Sequence, residues 1–264
     1  MAQERFQRVE KKYLVTEKQM AMLMPAIQEY MQPDRYTDYS VLNLYFDNEN
    51  YTMFRTSIDK PCYKEKLRLR SYGIPSDDSP VYLEIKKKYC GIVYKRRTEL
   101  TLAEAVDYID YDIYPREDSQ IMREIDYMKR FYDCIPRAMI SYRRQAFCGI
   151  SDPELRLTLD TDLRGRNREL DLAKGNHGDL IIPDGRILME VKIPGALPMW
   201  MADLFTECGL VMVSFSKIGT YYREYLSDAY RRRSQFSGLI TNKEFQARRR
   251  KNAAARQQNM EAYV

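Results

Sequence analysis

Basic and aliphatic residues alternate in the stretch Lys66-Leu67-Arg68-Leu69-Arg70. Successive side chains of a β-strand point to opposite faces, so the three basic side chains share one face and the two leucines share the other. Charged and aliphatic residues alternate again in residues 83–88 (LEIKKK), and after Gly91 the charged residues Lys95, Arg97 and Glu99 share one parity. Turn residues separate the three stretches. They therefore predict an antiparallel meander with one cationic face.

Further stretches extend this pattern, and helical spacing of apolar residues separates them. Thr101 and Glu104 have the spacing of a helix capping box. The predicted strands cover residues 6–15, 41–46, 62–72, 81–89, 92–100, 138–147, 155–160 and 188–193. The predicted helices cover residues 17–31, 101–111, 119–132, 199–208 and 217–231, and residues 51–57 form a short helix or an irregular return. This order of elements predicts the α+β class with a mainly antiparallel sheet.

The excess of cations on one side of the sheet indicates that an anionic ligand binds there. Like charges directly opposite each other destabilise a sheet, and ordinary protein surfaces mix both signs. A solvent-exposed face explains any single strand best, but about seven strands with the same bias favour a barrel whose lumen collects the cations. Arginine offers a planar fork to phosphate oxygens and lysine a compact charge, so the mixture is typical of a polyphosphate site.

The composition is that of one folded domain: 264 residues, 31% charged, 44% apolar and a net charge of +5. The five cysteines show no Cys-x-x-Cys spacing, which predicts neither a disulfide framework nor a zinc site and favours a reducing compartment. No secretory signal and no membrane-spanning stretch is recognisable, so we expect a cytoplasmic protein with no membrane contact.

Metal chemistry would depend on carboxylates. The single histidine, His177, lies in the loop-like sequence KGNHGD, where an exposed structural role is the simplest interpretation. Carboxylate oxygens favour hard ions, so any metal is expected to be Mg²⁺ or Mn²⁺.

Eight short motifs now resemble, in order, those of the VTC domain, the polyphosphate polymerase domain of the vacuolar transporter chaperone complex, within the triphosphate tunnel (CYTH-like) superfamily. The resemblance runs from about residue 5 to residue 225. The motifs are RVEKKY (8–13), LYFDN (44–48), RLRSYG (68–73), EIK (84–86), SYRRQAF (141–147), RLTLDT (156–161), EVK (190–192) and SK (216–217).

The resemblance implies an eight-stranded antiparallel β-barrel with helices packed outside, over residues 1–235. The Ala, Arg, Lys and Gln content of the C-terminal residues predicts a basic, helical tail at 236–264. The catalytic cations would be Lys12, Arg68, Arg70, Lys86, Arg144 and Lys217. The substrate-binding residues would be Arg8, Lys66, Tyr142, Lys95, Arg97, Arg156 and Lys192. Glu190, with Glu10, would hold the metal.

In the family's reaction the γ-phosphate of ATP passes to the end of a polyphosphate chain and ADP leaves, so the sequence predicts a metal-dependent polyphosphate polymerase. Hydrolysis of triphosphate or a nucleotide is the enzymatic alternative. Arg8 weakens it, because hydrolases of this superfamily carry a carboxylate at that position. A non-catalytic polyphosphate-binding module is the third possibility. Nucleic acid is an unlikely partner, because strand-interior cations would not reach a duplex and no aromatic stacking pattern shows on the cationic faces.

Overall fold

The computed structural model of the chain describes residues 9–116 and 118–227. Arg8, the predicted tail at 236–264 and the ends of two predicted elements lie outside these residues. The strands are β1 (Val9–Val15), β2 (Met31–Pro33), β3 (Tyr39–Asp47), β4 (Tyr63–Tyr72), β5 (Pro80–Tyr89), β6 (Ile92–Thr101), β7 (Ile135–Gly149), β8 (Arg156–Arg166), β9 (Asp179–Leu180) and β10 (Ile187–Ile193). The helices are α1 (Glu17–Tyr30), α2 (Thr52–Asp59), α3 (Leu102–Asp110), α4 (Gln120–Phe131), α5 (Met199–Glu207) and α6 (Lys217–Tyr221), the last continued by a π-helical turn (Tyr222–Leu226).

Eight strands form one continuous antiparallel sheet in the order β1-β10-β8-β7-β3-β4-β5-β6, and the short β2 and β9 pair with β7 and β8. The α+β class and the antiparallel sheet are therefore confirmed. The outer strands β1 and β6 share no backbone pairing within the described residues. A segment after α5 lies along the free edge of β1, at the seam between the two outer strands: the Val213 amide donates to the Lys12 carbonyl at 2.8 Å. Farther along this segment, Ser216 Oγ accepts from Lys66 Nζ of β4 at 3.0 Å.

The predicted alternation fixes the register of the meander. Lys66 lies opposite Lys86, and Lys86 opposite Lys95; Arg68 lies opposite Glu84. All these side chains therefore face the same side of the sheet, which we call the lumen face. The leucines and isoleucine between them take the opposite face, which the helices cover.

Two apolar layers cover the outer face. Helices α3 and α4 pack on β3 to β6, and α1 and α5 pack on β1, β8 and β10. The predicted capping box is present, since the Thr101 hydroxyl accepts from the Glu104 amide at 3.2 Å and Glu104 accepts from the Thr101 amide at 2.9 Å. It fixes the point at which β6 turns into α3.

Whereas those four helices pack on the outer face, as the resemblance implies, α2 and α6 also lie across one end of the lumen face. They pack against the lumen face on a cluster that includes Tyr45, Ala138 and Leu163, towards the end of the sheet where β3 ends and β4 begins. The contact is close at Gly165 of β8, where any Cβ would overlap the ring of Tyr221. Apolar groups thus cover the β3, β7, β8 and β10 side of the lumen face towards this end. We call the other end, where β3 begins and β4 ends and where Tyr72 is 46% exposed, the open end.

Two cysteines pair, contrary to expectation. Cys62 and Cys90 form a disulfide with their Cα atoms 4.9 Å apart. The physical reason is register: Tyr63 pairs with Tyr89, so the residues just before and after them meet across the same two strands. The cysteine argument for a reducing compartment therefore does not hold. No helix within the described ranges is long and apolar enough to cross a membrane.

Candidate active site

The lumen face carries three groups of charged residues. The Glu190 cluster consists of Glu190 and Asp160 with the cations that contact them, and of Glu10. The Glu84 cluster consists of Glu84 and the cations that contact it. The lysine rung is the pair Lys66 and Lys86. Together they bring side chains from β1, β4, β5, β6, β7, β8, β10 and the first residue of α6 to one cavity.

The Glu190 cluster is built around two buried carboxylates. Lys217 Nζ lies 2.6 Å from Asp160 Oδ2 and 2.8 Å from Glu190 Oε1. The Arg144 guanidinium holds Asp160 with two hydrogen bonds of 2.7 Å each. Lys12 Nζ lies 3.2 Å from Glu190 Oε1 and 3.0 Å from Glu10 Oε1. The Lys12 ammonium group thus lies between Glu10 and Glu190, the two carboxylates predicted from the sequence to hold a metal.

These contacts fix the charge states. Burial would raise the pKa of Glu190, but Lys217, Lys12 and Arg144 outweigh it and hold the pKa well below its usual range. Burial would lower the pKa of Lys217, and the two carboxylates instead raise it above its usual range. Both partners therefore stay charged over the physiological pH range.

The Glu84 cluster lies on the wall formed by β4, β5 and β6. Glu84 is 1% exposed, and its Oε2 accepts from Arg68 Nε at 2.8 Å, while Lys95 Nζ lies 2.6 Å from Oε1. Arg70 Nε is 3.9 Å from the carboxylate and donates to Asn43 Oδ1 at 2.9 Å. Burial would raise the pKa of Glu84, but Arg68, Arg70 and Lys95 lower it to about 2. One anion thus orients three cations at the lumen face.

The lysine rung has no carboxylate within salt-bridge distance among the described residues. Lys66 donates to the Ser216 hydroxyl, as noted above, and burial followed by the charges of Lys86 and Lys12 holds its pKa well below the usual value. Burial also lowers the pKa of Lys86 to about 8, although Glu10 opposes the shift. A buried pair of like charges is a place where an anion would be stabilising.

The basic row continues beyond the rung towards the β5–β6 turn. Lys64 lies opposite Lys88 in the register, one rung outward on the same face. Burial, Lys88 and Lys60 lower the pKa of Lys64. Cations therefore extend from the cavity along β4 and β5 almost to the β5–β6 turn.

The predicted residues fall into two groups. Lys12, Lys66, Arg68, Arg70, Lys86, Lys95, Tyr142, Arg144, Glu190 and Lys217 meet at the cavity, with Lys217 Nζ 4.6 Å from the centroid of the Tyr142 ring. Arg97 lies 4.5 Å from the ring centroid of Tyr82 at the open end. Lys192 is half-buried opposite Glu10 on the neighbouring strand. Arg156 does not join the other cations, because its guanidinium pairs with the Asp34 carboxylate at 2.5 Å.

Sequence reasoning missed the roles of Asp160 and Glu84. Asp160 is fully buried and holds both Arg144 and Lys217, and Glu84 orients the wall of cations described above. Both acids share the parity of the cations in the pattern. Their parity could have indicated these roles, because a carboxylate buried on a cationic face needs several cations as partners.

The donor set supports a metal ion only if waters and substrate phosphates complete its coordination. No three acidic, histidine or cysteine side chains in the described part of the chain form a group that could hold a metal by themselves. Magnesium, however, is commonly bound by one or two carboxylates together with waters and substrate phosphates. Glu10 and Glu190, on either side of Lys12 Nζ, fit that arrangement.

Comparison with known proteins agrees with this architecture. A candidate adenylate cyclase from Bacillus halodurans has a similar structure, with a TM-score of 0.52 and 13% identity over 83% of this chain and 97% of that chain. HpAC1 from Hippeastrum, described as a candidate adenylyl cyclase with a dominant triphosphatase activity, aligns with a TM-score of 0.47 and 15% identity over 83% of this chain and 97% of that chain. The first similarity supports the fold. A search of curated proteins gives no significant match.

The sequence model of one family covers nearly the whole described region. It is the VTC domain, matched over residues 7–224. That range contains every strand of the sheet and each of the three charged groups of the lumen face. The chain belongs to the VTC domain family.

Proposed function

We propose that this protein is a metal-dependent polyphosphate polymerase that transfers the γ-phosphate of ATP to the end of a polyphosphate chain inside the cationic cavity. The observation that carries the proposal is the convergence of basic side chains from separate strands on one enclosed face. Membership of the VTC domain family supports it.

The reaction is a phosphoryl transfer in which the protein supplies position and charge. A terminal oxygen of the polyphosphate chain attacks the γ-phosphorus, the bond between that phosphorus and the β–γ bridging oxygen breaks, and ADP leaves with the electron pair. Charge develops on phosphate oxygens throughout, so fixed cations lower the barrier without a protein nucleophile. Arg144 and Lys217 are held by Asp160, and Arg68 and Lys95 by Glu84, so their geometry is set before substrate arrives.

Mg²⁺ or Mn²⁺ would be held by Glu190 and Glu10 and would neutralise charge on the transferring phosphate. For that, the Lys12 ammonium must give up its contact with one carboxylate. Lys12 also donates to the Phe215 carbonyl at 3.2 Å, so it keeps a partner on the lumen side of the seam. The cations that surround these two carboxylates would then position the triphosphate next to the metal.

The basic row supports a polymer rather than a short anion. Lys66 and Lys86, followed by Lys64 and Lys88, continue the lumen cations along β4 and β5. A linear polyanion longer than a triphosphate would neutralise each rung in turn. The apolar cluster under α2 and α6 lies on β3, β7, β8 and β10 and leaves the lumen face of β4 and β5 to these cations, so this row is the route along which a growing chain would leave the cavity.

Product analysis tests the proposal. Purified protein with ATP and Mn²⁺ or Mg²⁺ should yield ADP and long-chain polyphosphate in a gel assay. The matched control is Lys217→Met, which keeps most of the side-chain volume but removes the cation that contacts both Asp160 and Glu190. ADP with orthophosphate as the only products would rule the polymerase out.

Hydrolysis of a triphosphate is the second candidate. It is favoured by one observation, the closure of one end of the cavity by α2 and α6. A one-ended site suits a short substrate that enters and leaves by the same opening. The same product assay separates the two candidates.

A further inference from the structure

Three tyrosines lie together on the lumen face at the open end of the cavity. Tyr39 of β3, Tyr72 of β4 and Tyr82 of β5 have the same strand parity as the phosphate-binding cations, since Val41 lies opposite Tyr72 and Arg70 lies opposite Tyr82. The ring centroids of Tyr39 and Tyr72 are 5.7 Å apart, and those of Tyr72 and Tyr82 are also 5.7 Å apart, both edge to face. Three aromatic rings therefore accompany the cations at this end, in edge-to-face contacts.

The tyrosines adjoin the guanidinium groups directly. Arg97 lies 4.5 Å from the ring centroid of Tyr82, and Arg70 lies 6.0 Å from that of Tyr72. Tyr72 is 46% exposed, so its ring has surface available at the opening. Tyr39 also packs on the apolar cluster that includes Val41 and Tyr142. Partly exposed aromatic surface thus adjoins phosphate-binding cations at the open end.

We propose that Tyr39, Tyr72 and Tyr82 form a nucleobase-binding subsite at the open end, so that the donor enters with its triphosphate foremost and its base outside. This inference rests on the proposed use of a nucleoside triphosphate. A ribose separates the base from the phosphates, so a base on these rings leaves the γ-phosphate pointing inwards, past Arg70 and towards the Glu190 cluster. Stacking on a ring accepts every base, because each base has a π-face. The ligand class is therefore a nucleoside triphosphate of broad base identity.

The subsite also gives the two phosphate substrates different routes. The nucleotide occupies the open end, whereas the basic row of Lys64 and Lys88 lies towards the opposite end of β4 and β5. Bare polyphosphate would not need the tyrosines at all. The affinity for ATP relative to that for inorganic tripolyphosphate consequently measures the contribution of the subsite.

The test compares the two ligands on the whole protein by calorimetry. Tyr72→Ala should weaken ATP on the order of tenfold, the size of one base–aromatic contact, and change tripolyphosphate less than twofold. Tyr72→Phe should restore ATP affinity, because it keeps the ring. Tyr89→Ala is the matched control, an exposed tyrosine at the opposite end of β5 on the outer face.

Two results would overturn the subsite. One is an equal loss of both ligands in Tyr72→Ala, which would mean that Tyr72 only supports Arg70. The other is wild-type protein whose ratio of ATP to tripolyphosphate affinity is no higher than that of Tyr72→Ala. Neither result depends on the products formed, so a selective loss of ATP affinity would uphold the subsite even if the polymerase assay failed.

Discussion

Arg70→Ala should weaken tripolyphosphate binding strongly while leaving the fold intact. The Arg70 guanidinium is oriented by Asn43, which in turn donates to the Ile140 carbonyl at 3.1 Å. Among the described residues the two terminal amino groups of Arg70 have no protein hydrogen-bond partner, so they remain for a phosphate. Its side chain is 10% exposed, which limits screening by solvent.

The magnitude follows from one charge-assisted contact. Such a hydrogen bond is worth about 1.5 to 3 kcal/mol, which corresponds to roughly 10- to 150-fold in affinity. The unfolding temperature should change little, because Glu84 keeps Arg68 and Lys95 as partners after Arg70 is removed. Isothermal titration calorimetry with tripolyphosphate at fixed ionic strength measures the effect.

Arg143→Ala is the matched control for this measurement. Arg143 adjoins Arg144 in sequence but takes the outer face, is 64% exposed, and pairs with Asp38 at 2.5 Å. It should leave tripolyphosphate affinity unchanged. A loss below threefold in Arg70→Ala, or an equal loss in both variants, would refute the argument that lumen-face cations bind the anion.

Three further predictions follow from the same contacts. Tripolyphosphate affinity should fall as the pH rises through about 8, because Lys86 loses its proton there and a bound anion favours the charged form; Lys86→Met should flatten this part of the pH profile in calorimetry. Glu190→Gln should abolish metal-dependent product formation but retain tripolyphosphate binding, since Lys12 and Lys217 lose an anionic partner; loss of binding would contradict this. Phe54→Ala, in the apolar closure of the lumen, should lower the free energy of unfolding by about 3 to 5 kcal/mol in urea denaturation, and a change below 1 kcal/mol would argue against a packed closure.

Alternation in the sequence predicted the cationic wall correctly because strand parity is a local property. The meander of β4, β5 and β6 needs only short turns, and its aliphatic positions all cover the outer face. The alternation in residues 156–162 (RLTLDTD) would also place Asp162 on the face of Asp160, and there parity fails. The backbone there is left-handed, with φ of 49°, and the β7–β8 register shifts nearby, so Asp162 pairs with Arg164 outside the cavity.

The closure by α2 and α6 could not be derived from parity alone. Helix α2 follows β3 within a few residues, but nothing local determines that it turns onto the lumen face rather than the outer one. A signal was nevertheless present: residues 41–46 (VLNLYF) and 138–142 (AMISY) are apolar on both faces, as expected of strands covered on both sides. The disulfide between Cys62 and Cys90 was likewise visible only once the register of β4 and β5 was known.

Ion-pair roles were the hardest part of the site to predict. Asp160 and Glu84 each neutralise cations from neighbouring strands, Arg144 opposite Asp160 and Arg68 opposite Glu84, and Asp160 gains Lys217 only because the fold brings α6 to the same face. Sequence parity placed both acids on the lumen face. Their depth of burial, and hence their strength as orienting groups, depends on the tertiary fold.

A crystal structure of the protein soaked with tripolyphosphate tests the central claim most directly. Phosphate groups should lie in the cavity, within hydrogen-bond distance of Arg70 and Arg68 on one wall and of Arg144 or Lys217 on the other. Phosphate bound at outer-face cations such as Arg143, with the cavity left empty, would contradict the account.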